Sequence, residues 1–271
     1  MRVQTTKESS FKTLCIGTSG YYFDDWIGTA YPPKTKKSSM FDEYLKLGFD
    51  SLELNFTYYR LAGREQLRNF SLKADKDFSF IIKAYKGITH EKAERETVKT
   101  VSENYLEGNV NGNFRGILLQ FPESFHKTNE NIEYLIMLRE EMKEINLFVE
   151  FRRSDWMSKE TSDLLSRDKM NFVSADLPKI GNLPEMNLNA ASESSYLRLH
   201  GRNKEWYTAE DRYDYLYSDA EITQFQKDVL FLMNKTNTTF VFFNNCHGGF
   251  AVKNALLLKD KLIKEMKIEA K

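Results

Sequence analysis

Eight short apolar runs dominate this sequence, and each ends on a polar residue, a charged residue or glycine. They recur at intervals of roughly 24 to 44 residues, and most are separated by stretches with helical patterning. The runs are LCIGTSG (14–20), SLELN (51–55), FSFIIKAY (78–85), GILLQF (116–121), LFVEF (147–151), NFVSAD (171–176), YLRLHG (196–201) and TFVFFNN (239–245). Eight repeats of strand then helix indicate a closed parallel barrel, in which functional groups lie at the C-terminal ends of the strands.

The length of 271 residues suits one such barrel, and no linker or composition shift divides the chain. We predict a single α/β domain over residues 1–271, a (β/α)8 TIM barrel, in which residues 1–10 form a loose N-terminal lead-in. Helices are predicted at 40–47, 64–74, 91–107, 129–143, 158–168, 219–234 and 253–268. Pro178, Gly181 and Pro184 break the pattern after the sixth strand, so an irregular segment is predicted there. A second long insert, 202–217, follows the seventh strand and is rich in tyrosine.

The charge balance excludes a strong general attraction to polyanions. Lysine plus arginine equals aspartate plus glutamate at 39 each, and the pI is near 6.9. Nucleic acid is therefore a disfavoured partner, although a local basic patch would still bind it. No apolar stretch is long enough to span a bilayer, and the N-terminus lacks the apolar core of a signal peptide. We expect a cytoplasmic protein with no membrane partner; the oligomeric state is left open.

Alternation within the strands predicts which side chains enter the barrel. In the run 51–55, Leu52 and Leu54 alternate with polar residues, and 148–152 and 196–200 alternate in the same way. Barrel strands pack one face against the helices and the other into the barrel. The apolar face should meet the helices, so the polar side chains should converge on the barrel mouth.

This convergence gives a candidate site with two kinds of role. Acid–base chemistry is assigned to Glu53, Glu150 and His200, because two carboxylates in different surroundings can hold different pKa values. Binding of an anion is assigned to the remaining polar groups and to a glycine turn before the last helix, where barrels often hold phosphate. The binding residues are Asn55, Lys83, Gln120, Arg152, Asp176, Arg198, Asn244, Asn245 and Gly248.

Two other interpretations of the same residues stay open. Glu53 and Glu150 could pair with Lys83 and Arg198 in a salt-bridge lattice that only fills the barrel top. Alternatively, Glu53, Glu150, Asp176 and His200 could hold one divalent cation, although no metal or other cofactor is predicted. Sequence motifs do not decide the matter, because HExxH, the Walker loop, GxSxG and GxGxxG are all absent.

The order of several motifs resembles the YecE-like family, also called domain of unknown function 72. The motifs are GTSG (17–20), Trp26, YP (31–32), ELNFTYY (53–59), KAYKGITHE (83–91), LLQFPESF (118–125), VEFR (149–152) with Trp156, RLHG (198–201) and FNNCHGGFAVKNA (243–255). They span residues 14 to about 258, nearly the whole chain. The resemblance implies a TIM barrel in a cytoplasmic protein and supplies no reaction. One departure is Cys246, where the pattern often has an aspartate.

Three functions fit these observations. The first is an enzyme that acts on a small phosphate-, sugar- or nucleotide-like anion, held by Lys83, Arg152 and Arg198. The second is a non-catalytic module that binds or senses such a ligand. The third, by analogy of fold with abasic-site endonucleases, is a DNA-binding or nucleic-acid-processing barrel. If Glu150 serves function rather than stability, Glu150→Gln should melt at the same or a higher temperature than the wild type.

Overall fold

The core of the molecule is a parallel sheet surrounded by helices, seen in a computed structural model that describes residues 2–4 and 11–269. The strands are β1 (Arg2–Gln4), β2 (Phe11–Ser19), β3 (Ser51–Leu54), β4 (Ser79–Lys83), β5 (Phe114–Phe121), β6 (Leu147–Phe151), β7 (Met170–Phe172), β8 (Ser174–Asp176), β9 (Ser194–Leu199) and β10 (Thr238–Phe243). The helices are α1 (Met40–Lys46), α2 (Phe56–Tyr59), α3 (Arg64–Lys73), α4 (Lys86–Thr89), α5 (Arg95–Gly108), α6 (Asn129–Glu141), α7 (Lys159–Arg167), α8 (Asp219–Lys235) and α9 (Phe250–Glu269).

The sheet closes through its sixth run, which is divided between two neighbours. The order of strands is β7-β6-β5-β4-β3-β2-β10-β9-β8, and every adjacent pair in this order is parallel. Only Val173 separates β7 from β8, and its N–H donates to Val149 O over 2.9 Å. The two short strands are therefore the halves of one run, so eight runs form the barrel and the predicted TIM-barrel fold is confirmed.

Two apolar layers hold the barrel together. The interior is filled by Cys15, Ile81, Leu118, Phe148, Val173, Tyr196, Phe240 and Phe242. A larger cluster, which includes Leu52, Leu54, Leu197 and Leu199, lies between the strands and the helices. Gly17 permits a close approach of two strands, because a Cβ atom there would lie 2.1 Å from Ser51 O. The alternation predicted for runs 51–55 and 196–200 is therefore the alternation observed.

The element boundaries differ from the sequence prediction in several places: the last helix begins at Phe250 instead of residue 253, and the short helices α2 and α4 were not predicted. Residues 2–4 of the predicted loose lead-in form β1, which pairs antiparallel with β2, while residues 1 and 5–10 lie outside the described residues. The helix predicted from residue 91 begins at Arg95, because Lys92 has a φ of +50° that no α-helix accepts. The described part of the chain contains no helix long and apolar enough to cross a membrane.

Two irregular inserts cover part of the barrel mouth. The segment 177–193 has no helix or strand, as predicted, and neither does the insert 202–217, which we call the lid. Trp206 of the lid packs with Leu177, Leu183 and Ala175 in a small separate apolar cluster. The lid is thereby fixed to one side of the mouth, and this asymmetry defines the site.

Candidate functional site

Arg198 lies at the centre of the barrel mouth, between two buried carboxylates. Its Nε and Nη2 donate to the two oxygens of Glu53 over 2.9 and 2.6 Å, and its Nη1 donates to Glu150 over 3.0 Å. Tyr196 OH also donates to Glu53, over 2.6 Å. All four residues are fully buried. The arrangement satisfies the carboxylates inside the protein, as a buried ion pair requires.

Glu150 connects this centre to Arg152 and His200. Arg152 Nε lies 2.5 Å from Glu150 Oε1, and His200 Nε2 lies 3.1 Å from the same oxygen. Asn244 Nδ2 is 2.9 Å from His200 Nδ1. We call Glu53, Glu150, Arg152, Arg198 and His200 the buried ion network. Two carboxylates face two guanidinium groups, so the network is neutral when His200 is uncharged.

The pKa values in the network are set by burial and by the two arginines. Burial would raise the pKa of Glu150, but Arg198 and Arg152 hold it well below its usual range. Burial and Arg152 together hold the pKa of His200 well below the ordinary value for histidine, despite the opposing effect of Glu150. Glu150 is therefore ionised and His200 neutral at pH 7.

The lid covers one half of the mouth. Trp206 is 2% exposed, and the guanidinium of Arg152 lies 5.6 Å from its ring centroid. Tyr213 lies 6.3 Å from His200, ring to ring. Salt bridges from Arg202 to Asp176 and Glu221 hold the start of the lid. The buried ion network thus has no open surface on this side.

The other half of the mouth is an open cavity of about 540 Å³. Half of its lining residues are aromatic, and we call it the aromatic cavity. Its lining residues are Ser19, Gly20, Tyr21, Tyr22, Phe23, Asn55, Phe56, Tyr58, Tyr59, Arg60, Gln66, Phe70, Lys83, Tyr213, Asn244 and Cys246. Among these described residues Lys83 and Arg60 are cationic and none is acidic.

Lys83, like Arg60, differs from the arginines of the buried ion network because no carboxylate within the described chain forms an ion pair with it. Its ammonium lies 4.5 Å from the ring centroid of Tyr58 and, within the described chain, forms no hydrogen bond or ion pair. Burial, and then repulsion from Arg198, lower the pKa of Lys83 to about 7. The side chain is half-buried in the cavity wall. It is an amine close to its midpoint of protonation at neutral pH.

The structure divides the predicted site residues into groups. Asn55, Lys83 and Asn244 line the aromatic cavity, whereas Glu53, Glu150, Arg152, Arg198 and His200 form the buried ion network. Gln120 lies beside Glu150 in the strand register, on the inner face, and its amide donates to Phe121 O. The salt-bridge lattice predicted for the barrel top is therefore present with Arg152 in the place of Lys83.

Asp176 and Asn245 belong neither to the aromatic cavity nor to the buried ion network. Asp176 lies beside Leu199 on the outer face of the sheet and accepts hydrogen bonds from Arg202 and Tyr217. The expectation that it points into the mouth is wrong, because alternation from the inward Val173 turns it outward. Asn245 instead donates to Tyr215 O and Asn254, and so fastens the lid to α9.

The glycine turn before α9 already holds a carboxylate of this chain. Gly248 has a φ of +57°, and its N–H donates to Asp25 Oδ2 over 2.6 Å. The predicted phosphate position at this turn is thus occupied by Asp25. The fully paired Arg198 is likewise closed to a ligand anion, so the anion site expected between Arg198 and Gly248 is not formed.

The walls of the cavity were missed at the sequence level. Tyr21, Tyr22 and Phe23 directly follow β2, and Phe56, Tyr58 and Arg60 follow β3. Their position just beyond strand ends was the available signal, since loops at this face carry function. The described residues contain no group of three or more His, Cys, Asp or Glu side chains placed to hold a metal. The four groups considered for a cation do not converge, because Asp176 faces outward.

Fold and site together define a TIM-barrel protein with a half-covered mouth, a buried ion network and an open aromatic cavity. The chain belongs to the family described as Protein of unknown function DUF72, which it matches over residues 15–271, and the YecE-like resemblance is thereby confirmed.

Relatives with names and structures agree with this assignment. The UPF0759 protein YunF of Bacillus subtilis (strain 168) is 30% identical over 266 residues, covering 89% of this chain and 92% of that protein. A DUF72 family protein of Thermotoga maritima MSB8 is 36% identical, with a TM-score of 0.86 over 93% of this chain and 99% of that one. A sugar phosphate isomerase/epimerase of Parabacteroides distasonis has a TM-score of 0.52 at 12% identity over 93% and 98% of the two chains, which shows a common fold alone.

Proposed function

We propose that the protein binds a small organic anion in the aromatic cavity, with Lys83 as the group that neutralises its charge. The observation that carries this proposal is the charge of the lining: two cations, Lys83 and Arg60, and no acidic residue among the described ones. The chain as a whole has equal numbers of acidic and basic residues, 39 of each, so this is a local asymmetry. A ligand anion supplies the counter-charge that Lys83 lacks.

The size and walls of the cavity fit a small molecule with an apolar face. A volume of about 540 Å³ lies within the range of small-molecule sites, which are mostly apolar with a few placed polar groups. Phe23, Phe56 and Phe70 provide flat apolar surface, and Lys83 and Asn55 provide polarity. The C-terminal face is also where TIM barrels of other families bind their ligands.

Binding is better supported than acid–base catalysis by Glu53 and Glu150. Neither carboxylate lines the cavity, and both are fully buried and paired with arginines. A general acid or base must come within hydrogen-bond reach of the group it protonates or deprotonates. Lys83 comes closest to meeting this requirement, because it lies in the cavity itself.

Calorimetric titration with phenyl phosphate at pH 6.5 tests the proposal. We expect the wild type to bind and Lys83→Met to bind about tenfold more weakly or worse, because a charge-assisted contact is lost. Lys86→Met is the matched control, since Lys86 is exposed and paired with Glu91 outside the cavity lining. Equal affinity of wild type and Lys83→Met, or no binding by the wild type, would refute the proposal.

A further inference from the structure

Two buried polar atoms, in residues that line the aromatic cavity, have no hydrogen-bond partner within the described chain. Ser19 is fully buried, and neither its Oγ nor the buried Asn55 Oδ1 contacts a partner within the described chain. Both residues line the cavity. Resting on the proposed function, we infer that the anion bound there carries hydroxyl groups and belongs to the polyhydroxylated acids, the sugar phosphates or sugar acids.

The strand register places these groups at two levels, because Ser19 pairs with Glu53 and Asn55 lies two residues farther along the chain than Glu53. Thr18 pairs with Phe243, so Ser19 is followed laterally by Asn244; Leu54 pairs with Ile82, so Asn55 lies beside Lys83. Neighbouring strands are about 4.8 Å apart. The strand ends therefore present two levels of polar groups, the lower with Asn244 and Ser19 and the upper with Asn55 and Lys83. A ligand whose hydroxyls lie a few bonds from its charged end matches these two levels, because its charged end can reach Lys83 while its hydroxyls approach Ser19 and Asn55.

The chemistry of the two atoms selects hydroxyl groups over other ligand atoms. Asn55 Oδ1 only accepts hydrogen bonds, and an ionised carboxylate or phosphate has no proton to donate. A hydroxyl donates to Oδ1 and can also accept from Ser19 Oγ. A ligand ammonium would donate as well, but Lys83 and Arg60 repel a second positive charge. The aromatic walls complete the site, because the C–H face of a sugar ring packs on such surfaces.

Ser19 Oγ and Asn55 Oδ1 are relevant to ligand binding because their residues line the cavity. Ser51 Oγ is also buried without a partner in the described structure, yet Ser51 does not line the cavity. Ser51 therefore supplies a matched control for Ser19, with the same side chain and the same burial.

The test compares two matched ligand pairs: D-glucose 6-phosphate with hexyl phosphate, and D-gluconate with hexanoate. We expect the wild type to bind the hydroxylated member of at least one pair about tenfold more tightly, since each satisfied buried group adds a few-fold or more. Ser19→Ala should reduce that preference to about threefold or less, while Ser51→Ala keeps it. The pair that shows the preference tells whether the bound anion is a sugar phosphate or a sugar acid.

Several outcomes overturn the inference, and they separate it from the proposed function. If all four ligands bind without preference but Lys83→Met weakens them, the hydroxyl class is wrong and the anion site stands. If Ser19→Ala retains the full preference for the hydroxylated ligand, Ser19 does not contact the ligand hydroxyls. If no ligand binds the wild type, both proposals fail. Should Ser19→Ala melt well below the wild type, Asn55→Leu, with its half-buried side chain, repeats the same selectivity test.

Discussion

At the scale of single residues, the two halves of the barrel mouth differ in whether their positive side chains are paired with carboxylates. Arg198 and Arg152 each contact a carboxylate, so the buried ion network is internally balanced. Lys83 faces the ring of Tyr58 instead, and the carboxylates that attract it, Glu53 and Glu150, are already paired with arginines. This difference is the reason why we propose the aromatic cavity as the anion site, and it leads to opposite expectations for substitutions in the two places.

The charge of Lys83 should make ligand binding depend on pH. Burial and Arg198 lower the pKa of Lys83 to about 7. As the pH rises above that value, Lys83 of the free protein loses its proton, and the anion site therefore loses its positive charge. Affinity for benzenesulfonate, whose own charge is constant, should fall up to about a hundredfold from pH 6 to pH 9. Calorimetry in buffers of different ionisation enthalpy should also show proton uptake on binding at pH 8.

The control for this pH dependence is Lys83→Arg, which stays charged throughout the range. Its affinity for benzenesulfonate should be nearly constant with pH. A constant affinity in the wild type would instead mean that Lys83 does not contact the anion.

Glu150→Gln should destabilise the protein. The neutral amide leaves Arg152 and Arg198 with one carboxylate between them in a fully buried site, and breaking a buried pair costs about 3–5 kcal/mol. These contacts reverse the expectation from the sequence that the variant melts at the same or a higher temperature. Urea unfolding at pH 7 measures the change, and Glu107→Gln, in an exposed pair with Arg64, should change stability by less than about 1 kcal/mol. Wild-type stability in Glu150→Gln would restore the functional interpretation of Glu150.

At the scale of elements, strand alternation explains both the success and the failures of the sequence prediction. The run 51–55 mixes polar and apolar residues, so its faces were predictable, and Glu53 and Asn55 lie inside the barrel. In the sixth run both Phe172 and Val173 are apolar, so the sequence does not show which face Asp176 takes. The lid was recognisable as an insert, but its position depends on packing of Trp206 against Leu177 and Leu183, which come from a different loop.

The lid should control access to His200. Removing the Trp206 indole deletes the ring that covers Arg152, at a cost of up to about 3–5 kcal/mol. We expect diethyl pyrocarbonate to leave His200 unmodified in the wild type and to modify it in Trp206→Ala, with sites mapped by mass spectrometry. Tyr207→Ala, at an exposed lid position, should keep His200 protected. The exposed His126 should be modified in every sample, which shows that the reagent was active. Rapid modification of His200 in the wild type would contradict a closed lid.

At the scale of the whole molecule, the neutral buried ion network and the cationic aromatic cavity lie side by side at one end of the barrel. The recurring runs were sufficient to predict the barrel, because strand and helix periodicities are local properties. The choice between open and covered halves could not be predicted, because it depends on three segments that are distant in sequence: 20–23, 56–60 and 202–217. The Gly248 turn illustrates the same limit, since its anion is Asp25, more than two hundred residues away.

The position of a bound anion in a crystal shows directly whether the aromatic cavity is the anion site. Crystals soaked with p-bromophenyl phosphate allow the bromine to be located by its anomalous scattering. We predict bromine between the aromatic walls of the cavity, and phosphate oxygens within hydrogen-bond distance of Lys83 Nζ. Phosphate bound at the Gly248 turn or against the lid, with the aromatic cavity empty, would contradict this prediction.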